Sequence, residues 1–148
     1  MKGQINNSRI IAGTMTWGAG GKRLSATQMA GLMNDCLALG ITTFDHADIY
    51  GNYTCEAEFG KLLKMNPSIR HQIQLVSKCG IKLVSSKYPQ ISINHYNTSY
   101  KHIIESAEQS LVNLHTDYLD LLLIHRPDPL MDPAEIAGAF ETLEKSGK

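Results

Sequence analysis

Four side chains that can transfer or stabilise protons follow the predicted strands of this 148-residue chain: Asp45, Tyr50, Lys78 and His125. Each of them stands at or just beyond the C-terminal end of a short β-rich run. In a parallel α/β sheet, that edge is where ligands bind and chemistry takes place. A carboxylate, a phenol, an ammonium and an imidazole that converge there are expected to form a proton-transfer site.

Reduction of a carbonyl group is a reaction that suits these four side chains. It needs a hydride, which a nicotinamide cofactor provides, and a proton for the developing alkoxide, which the protein provides. A tyrosine is an effective acid near neutral pH when a neighbouring ammonium favours the phenolate. Lys78 can do this for Tyr50 if Asp45 holds the ammonium in place. His125 can polarise the substrate oxygen through a hydrogen bond.

The segments between these residues alternate short β-rich runs with longer amphipathic runs, which is typical of βα units in a parallel sheet. We predict strands over 9–14, 42–47, 74–78 and 118–125, and helices over about 25–40, 54–65, 98–114 and 132–147. Predicted capping boxes join Ser25 to Gln28 and Asp132 to Glu135. The segment 80–97 is predicted to be a long loop at the catalytic rim. The chain therefore reads as one α/β domain of four βα units.

The same motifs resemble those of the aldo-keto reductase family. They are Gly13-Thr14 before Trp17-Gly18, Asp45 with Tyr50-Gly51 five positions on, Ser77-Lys78, and His125-Arg126-Pro127. The resemblance extends over the whole chain, and the run after His125 is similar to that of a bacterial oxidoreductase subgroup. It implies a TIM-type (β/α)8 barrel, of which residues 1–148 are the N-terminal half with the first four βα units.

The resemblance also implies an activity, the NADPH-dependent reduction of an aldehyde or ketone to an alcohol. It assigns catalytic roles to Tyr50 as the acid, Lys78 as the modulator of that acid, Asp45 as the partner of Lys78 and His125 as the substrate orienter. Expected cofactor contacts are Asp45 and the backbone of Gly13 and Thr14. Expected substrate contacts are Trp17, Tyr50 and His125, although a lone tryptophan is as often a packing residue.

Two other classes of function remain open from the sequence. Lys78 can be the Schiff-base nucleophile of an aldolase, since lysines on barrel strands serve in this way. Alternatively, the chain is a non-catalytic half-barrel scaffold that associates with itself. Trapping with borohydride separates the aldolase from the reductase, and cofactor titration separates the reductase from the scaffold.

Composition sets limits on the partners and the compartment. Hydrophobic residues make up 43% and charged residues 19% of the chain, as in globular proteins. With a net charge of zero and no basic stripe, nucleic acid is not an expected partner. No apolar run approaches the length of a membrane span and no signal peptide is recognised, so no membrane partner is expected. Three scattered cysteines, without metal-ligand spacing to histidines, predict free thiols in the cytoplasm and no metal site.

Overall fold

In the computed structural model, which describes residues 7–148, short strands alternate with longer helices along the chain. The elements in chain order are β1 (Ile11–Gly13), α1 (Ala26–Ala38), β2 (Thr43–Asp45), α2 (Tyr50–Tyr53), α3 (Cys55–Met65), a 3-10 helix (Pro67–Gln72), β3 (Gln74–Cys79), β4 (Ile81–Lys82), β5 (His95–Tyr96), α4 (Tyr100–Leu114), β6 (Leu121–Ile124) and α5 (Pro133–Lys145). Strands β1, β2, β3 and β6 pair in that order, all in parallel. The four predicted βα units are confirmed.

Two hydrophobic clusters join the sheet to its helices. The larger cluster packs α1 and α3 against β2 and β3, and its largest members are Trp17, Met33, Phe44, Phe59 and Leu75. The smaller cluster packs α4 and α5 against the end of β3, with Cys79, Ile103, Ala107, Ala139 and Leu143 at its centre. Because these clusters fix each helix behind the sheet, the ends of the strands are held in register with one another.

The outer strands are less buried than the sequence suggested. We predicted the last strand as a nearly all-apolar run covered on both faces, whereas Leu121–Ile124 is only partly buried and Leu123 is 38% exposed. Both β1 and β6 are also shorter than predicted. Among the described residues each of them pairs with a single neighbouring strand, so the flanking residues have no second ladder to join.

The helix starts agree with the predicted caps at one end of the chain and differ at the other. Ser25 and Gln28 form the predicted reciprocal capping box of α1. The capping box predicted for Asp132 and Glu135 is wrong. Asp132 caps α5 by accepting from the Ala134 N–H, whereas Glu135 accepts from the backbone N–H of Tyr100 at 2.9 Å. That N–H belongs to the unpaired first turn of α4, which packs beside α5 and offers the carboxylate a free donor.

The segment 80–97 is not the plain loop that the sequence predicted. It contains an antiparallel hairpin in which Ile81 pairs with Tyr96 and Lys82 with His95. The hydroxyl of Tyr53 accepts from the Leu83 N–H at 2.7 Å. The hairpin is therefore tied to the end of α2, beside the rim of the sheet.

Candidate active site at the carboxyl ends of the strands

Lys78 lies at the centre of the candidate site, at the penultimate position of β3, before Cys79. Its ammonium donates to the Asp45 carboxylate at 2.7 Å, to the His46 carbonyl at 2.7 Å and to the Tyr50 hydroxyl at 3.1 Å. An ammonium has three donors and no acceptor. All three donors are therefore used, and the position of the nitrogen is fixed from three directions.

Tyr50 is the first residue of α2, five positions beyond Asp45 at the end of β2. The Ala47 carbonyl accepts from its N–H at 3.1 Å. The chain then passes through three residues in the left-handed region, Gly51 at φ 59°, Asn52 at φ 56° and Tyr53 at φ 68°. Left-handed backbone costs about 1–3 kcal/mol at each non-glycine residue, and such residues cluster at functional sites. This strained turn returns the chain to α3 directly after the phenol.

His125 directly follows β6 and faces the phenol of Tyr50. The two ring centroids lie 5.8 Å apart with an angle of 82° between the planes, an edge-to-face contact. Burial lowers the pKa of His125, and the charges of Lys78 and Arg126 lower it further. The imidazole is therefore neutral at physiological pH and carries one N–H donor. Its Nδ1 is buried without a protein partner among the described residues.

Asp45 and Gly13 lie side by side at the ends of β2 and β1, where they are paired in register. The Asp45 side chain is 28% exposed, and Gly13 is exposed as well. A Cβ added at Gly13 would meet nothing within 4 Å. This corner of the rim therefore offers an accessible carboxylate beside bare backbone, which suits contact with a ligand hydroxyl.

Thr14, which we expected to contact a cofactor through its backbone, is occupied within the protein. It is 1% exposed, and both its N–H and its hydroxyl donate to the Asp45 carbonyl, at 3.0 and 2.9 Å. The Thr14 hydroxyl also lies 2.8 Å from Nδ1 of the buried His46. Thr14 thus holds the end of β2 in place, and its N–H has no bond to offer a ligand.

Trp17, which we expected to contact the substrate, is buried. The indole is 8% exposed and packs edge-on against Phe44, with a centroid separation of 6.1 Å, and beside Phe59 at the same separation. These two rings belong to the same hydrophobic cluster as the indole. A buried indole offers little surface to a ligand, and a substrate contact by Trp17 stays a prediction.

Three polar residues near the site carry bonds that the sequence analysis did not anticipate. The carbonyl of His46 is an acceptor of Lys78, and a backbone acceptor has no signature in the sequence. Glu56 is 2% exposed and accepts from Ser77 at 2.6 Å and from Asn113 at 3.2 Å. Asp48 accepts from Ser106 at 2.7 Å. Of these three residues, only Asp48 could have been noticed in the sequence, because it stands two residues before Tyr50.

Some other features of the described residues bear on the class of protein. No group of three or more His, Cys, Asp and Glu side chains in residues 7–148 is arranged to hold a metal ion. Within the same residues, no helix combines the length and apolarity that crossing a membrane requires. Cys36, Cys55 and Cys79 are all free thiols, and burial raises the pKa of Cys79 to about 12.

Comparison with known proteins places this geometry in a family. The chain is 54% identical over 141 residues to the oxidoreductase YcsN of Bacillus subtilis (strain 168), covering 95% of this chain and 46% of that protein. It is 44% identical over 146 residues to a 6-dehydroglucose reductase of Agrobacterium fabrum, covering 98% of this chain and 48% of that protein. The chain thus spans about half the length of the curated relatives it matches.

A solved structure has the same fold. The holo form of the aldo-keto reductase AKR11C1 from Bacillus halodurans superposes with a TM-score of 0.78 at 30% identity, covering 95% of this chain and 43% of that one. This likeness, together with the parallel order of the four strands, confirms the predicted half of a TIM-type barrel. The model of the Aldo/keto reductase family matches residues 9–148, and the chain belongs to that family.

Proposed function

We propose that this chain carries the proton-transfer residues of an NADPH-dependent reductase that converts an aldehyde or ketone to an alcohol. The observation that carries the proposal is the position of the Lys78 ammonium, which contacts the Asp45 carboxylate and the Tyr50 hydroxyl at once. Residues 1–148 are the first half of the barrel, and the reaction belongs to the whole protein. The three free thiols favour a cytoplasmic location.

Tyr50 is the proposed acid. Because Lys78 can only donate, the Tyr50 oxygen accepts this hydrogen bond and the phenol hydrogen remains available to a substrate. The ammonium also stabilises the negative charge that the phenol oxygen acquires as the proton leaves. Asp45 keeps the ammonium oriented during this transfer. Lys78 and Asp45 therefore act on the transition state through Tyr50.

His125 is the proposed orienter of the carbonyl oxygen. A neutral imidazole can donate one hydrogen bond without competing with Tyr50 as the proton source. Its edge-to-face contact with the Tyr50 ring puts the two groups on the same part of the rim. A carbonyl oxygen that accepts from both residues is polarised and aligned with the phenol hydrogen.

The residues at the ends of β1 and β2 fit a nicotinamide cofactor in part. Asp45 offers a partly exposed carboxylate for a ribose hydroxyl, and Gly13 leaves open space in which a side chain would otherwise stand. When bound, NADPH supplies the hydride. The buried and fully bonded Thr14 does not fit the role of a cofactor contact, so Asp45 and Gly13 are the proposed contacts.

The aldolase alternative is disfavoured by the surroundings of Lys78. A Schiff-base lysine must present a free amine to a carbonyl carbon. Here three acceptors surround the nitrogen within 3.1 Å, so no direction is left for attack. A non-catalytic scaffold does not need these contacts of Lys78. The experiment described next distinguishes the scaffold from the reductase.

Deuterium transfer tests the proposed function. The protein at the full length that its gene encodes is mixed with NADPH carrying deuterium at the transferable position and with a panel of aldehydes and ketones, including the sugar-derived aldehyde 6-dehydroglucose. We expect deuterium at the carbinol carbon of a product alcohol and equimolar oxidised cofactor, with weaker use of NADH. An imine trapped by borohydride would establish the aldolase instead. Absence of both cofactor binding and turnover would favour the non-catalytic scaffold.

A further inference from the structure

A polar cavity of about 160 Å³ lies behind the loop that leads into Tyr50, on the side facing α4. None of the four proposed catalytic residues lines it. Its charged and hydrogen-bonding walls come from that loop, from α3, from β4 and from α4. The residues that matter here are Asp48, Glu56, Lys82, His102, Glu105 and Ser106.

Asp48 connects this cavity to the catalytic loop. It precedes Tyr50 by two residues, and its N–H donates to the carbonyl of Lys78 at 3.1 Å. Its Oδ2 accepts from the hydroxyl of Ser106 at 2.7 Å. One residue thus links the backbone of the catalytic lysine, the loop before the catalytic tyrosine and the buried face of α4.

The cavity also contains buried polar atoms without a protein partner. Among the described residues, Asp48 Oδ1 and both ring nitrogens of His102 are buried and unpaired, and His102 is only 5% exposed. Buried polar groups are normally hydrogen-bonded, and leaving one unpaired destabilises the fold. Apolar residues at these positions would avoid that loss. Packing alone therefore does not account for a carboxylate and an imidazole facing the same small cavity.

We propose that Asp48 is a positioning residue for Tyr50, which it holds in reach of substrate by binding Ser106 through an ionised carboxylate. This inference rests on the proposed function of Tyr50 as the acid. Protonation of Asp48 then loosens the loop that leads into Tyr50, while all four proposed catalytic side chains remain present. The reductase consequently has a dependence on pH that originates outside its catalytic residues.

Several titratable groups face Asp48 from the elements packed around it. They are Glu56 on α3, His102 and Glu105 on α4, Lys82 on β4, and Tyr53, Lys87 and Tyr88 beside the hairpin. The pKa of Asp48 is raised to about 7, mainly by burial and in addition by the charge of Glu56, while the Ser106 hydrogen bond and Lys82 oppose the rise. Burial lowers the pKa of His102 to about 4, so that imidazole stays neutral while Asp48 titrates.

The direction of the effect follows from the Asp48–Ser106 bond. A separation of 2.7 Å between two oxygens is typical of a hydroxyl that donates to a carboxylate, and such a bond is stronger than a neutral one. Below pH 7 the carboxyl gains a proton and the bond weakens. Turnover is therefore expected to fall on the acidic side of a midpoint near 7.

Asp48→Asn and Ser106→Ala test the proposal in the protein as encoded. Asparagine has the shape of the protonated acid, and alanine removes the hydroxyl. Each variant should lower kcat about tenfold or more above pH 8, which is the loss of one charge-assisted hydrogen bond, and should abolish the acidic limb. The double variant should be no slower than either single variant, since both remove the same bond. Cofactor affinity should be unchanged.

Glu105→Gln is the matched control, because it removes a carboxylate from the same cavity on an exposed side chain. It should keep the wild-type kcat and pH profile. Wild-type profiles in both Asp48→Asn and Ser106→Ala would overturn the proposal, as would an equal loss in Glu105→Gln. Thermal unfolding identifies any variant that fails to fold, and the remaining variant then decides.

A readout that needs no turnover separates this inference from the proposed function. The ¹³Cζ resonance of Tyr50 in the wild-type protein should shift with a midpoint near pH 7, and Asp48→Asn should abolish that shift. If the wild-type protein reduces no carbonyl but this titration is present, the proposed function fails and the positioning by Asp48 stands. Absence of the titration in a protein that does reduce carbonyls overturns the positioning alone.

Discussion

The hydrogen bond between Lys78 and Tyr50 has only one possible direction. The ammonium donates to the phenol oxygen across 3.1 Å, and its other donors are bound to the Asp45 carboxylate and the His46 carbonyl, each at 2.7 Å. The phenol hydrogen is consequently available to another acceptor at the rim. A cation that stabilises the phenolate and a hydrogen that points elsewhere are both required of a tyrosine that acts as an acid.

We predict that Lys78→Met alters the pH dependence of turnover in the protein as encoded. Loss of the ammonium removes the charge that favours the phenolate. The basic limb of the pH–rate profile should therefore move to higher pH or disappear. Asp45→Asn should have the same effect more weakly, because the ammonium remains but loses a charged partner. Steady-state rates between pH 5 and 10 provide the measurement.

Lys64→Met is the control for the lysine variant. Lys64 is exposed in the last turn of α3, away from the rim, so its loss should leave the profile unchanged. If Lys78→Met and Asp45→Asn both kept the wild-type profile, the pair would be structural and the proposed tuning of Tyr50 would be wrong.

We predict that Asp120→Ala strongly destabilises the fold. Arg70 donates to Asp120 at 2.8 Å and stacks over the Tyr118 ring at 3.8 Å, and the same carboxylate accepts from the Leu75 N–H at 2.8 Å. Removing Asp120 leaves the buried guanidinium of Arg70 without its charged partner and the Leu75 N–H without its acceptor. The free energy of unfolding should fall by about 3–5 kcal/mol in denaturant titration.

An exposed ion pair supplies the comparison for Asp120. Glu141 and Lys145 lie 2.6 Å apart on α5, with both side chains largely in solvent. Glu141→Ala should cost less than about 1 kcal/mol. Equal losses in the two variants would show that burial does not determine the contribution of these pairs.

We predict that acid destabilises the protein in part through His46 and His102. Burial lowers the pKa of His46 to about 3 and that of His102 to about 4. Below the unfolded value of about 6.5, the unfolded chain binds protons that the folded chain excludes. The stability present above pH 6.5 is therefore lost as the pH falls, at about 1.4 kcal/mol per pH unit for each histidine.

Replacement of His102 measures this contribution. Between pH 4.5 and 6, His102→Phe should unfold with a pH dependence shallower by about 1.4 kcal/mol per pH unit. His71→Gln, at an exposed position of the 3-10 helix, should keep the wild-type slope. A wild-type slope in His102→Phe would mean that this imidazole is protonated in the folded state.

The positions of the proposed catalytic residues could be predicted from the sequence because they depend mainly on where the strands end. Asp45 and Lys78 lie at or next to the last residue of β2 and β3, and His125 directly follows β6. The hydrophobic runs that define these strands are local, and parallel pairing brings their carboxyl ends to one edge. In this chain the pattern is therefore enough to predict that the three side chains lie at one edge of the sheet.

Contacts between distant segments could not be predicted in the same way. Asp48 meets Ser106 across 58 positions, and Glu135 meets the Tyr100 N–H across 35. The local pattern around Glu135 favours a capping box, but a free donor on the neighbouring helix competes for the carboxylate. The burial of Trp17 is a similar case. The two rings beside it, Phe44 and Phe59, come together only when α3 packs against β2.

We predict that the isolated 148-residue polypeptide associates with itself. Among the described residues, β1 and β6 each have one free edge, and Ile11 and Leu123 are 46% and 38% exposed. If several hundred Å² of apolar surface stays in contact with water, the cost is on the order of ten kcal/mol, comparable with the stability of a domain. Sedimentation at micromolar concentration should show dimers or larger species. These species should have little reductase activity.

Leu123→Glu should weaken this association because it places a charge on the β6 edge. Leu130→Glu is the control, since Leu130 is 92% exposed outside the strand. A compact monomer that reduces carbonyls with NADPH would contradict the prediction, and so would equal weakening by both substitutions.

The effect of Tyr50→Phe on turnover and on cofactor binding, measured side by side in the protein as encoded, tests the role of Tyr50 most directly. Phenylalanine keeps the ring that faces His125 and removes only the hydroxyl that Lys78 contacts. Because the proton is needed only in the transition state, kcat should fall by several orders of magnitude while the Kd for NADPH stays nearly unchanged. Near-normal turnover by this variant would show that Tyr50 is not the acid.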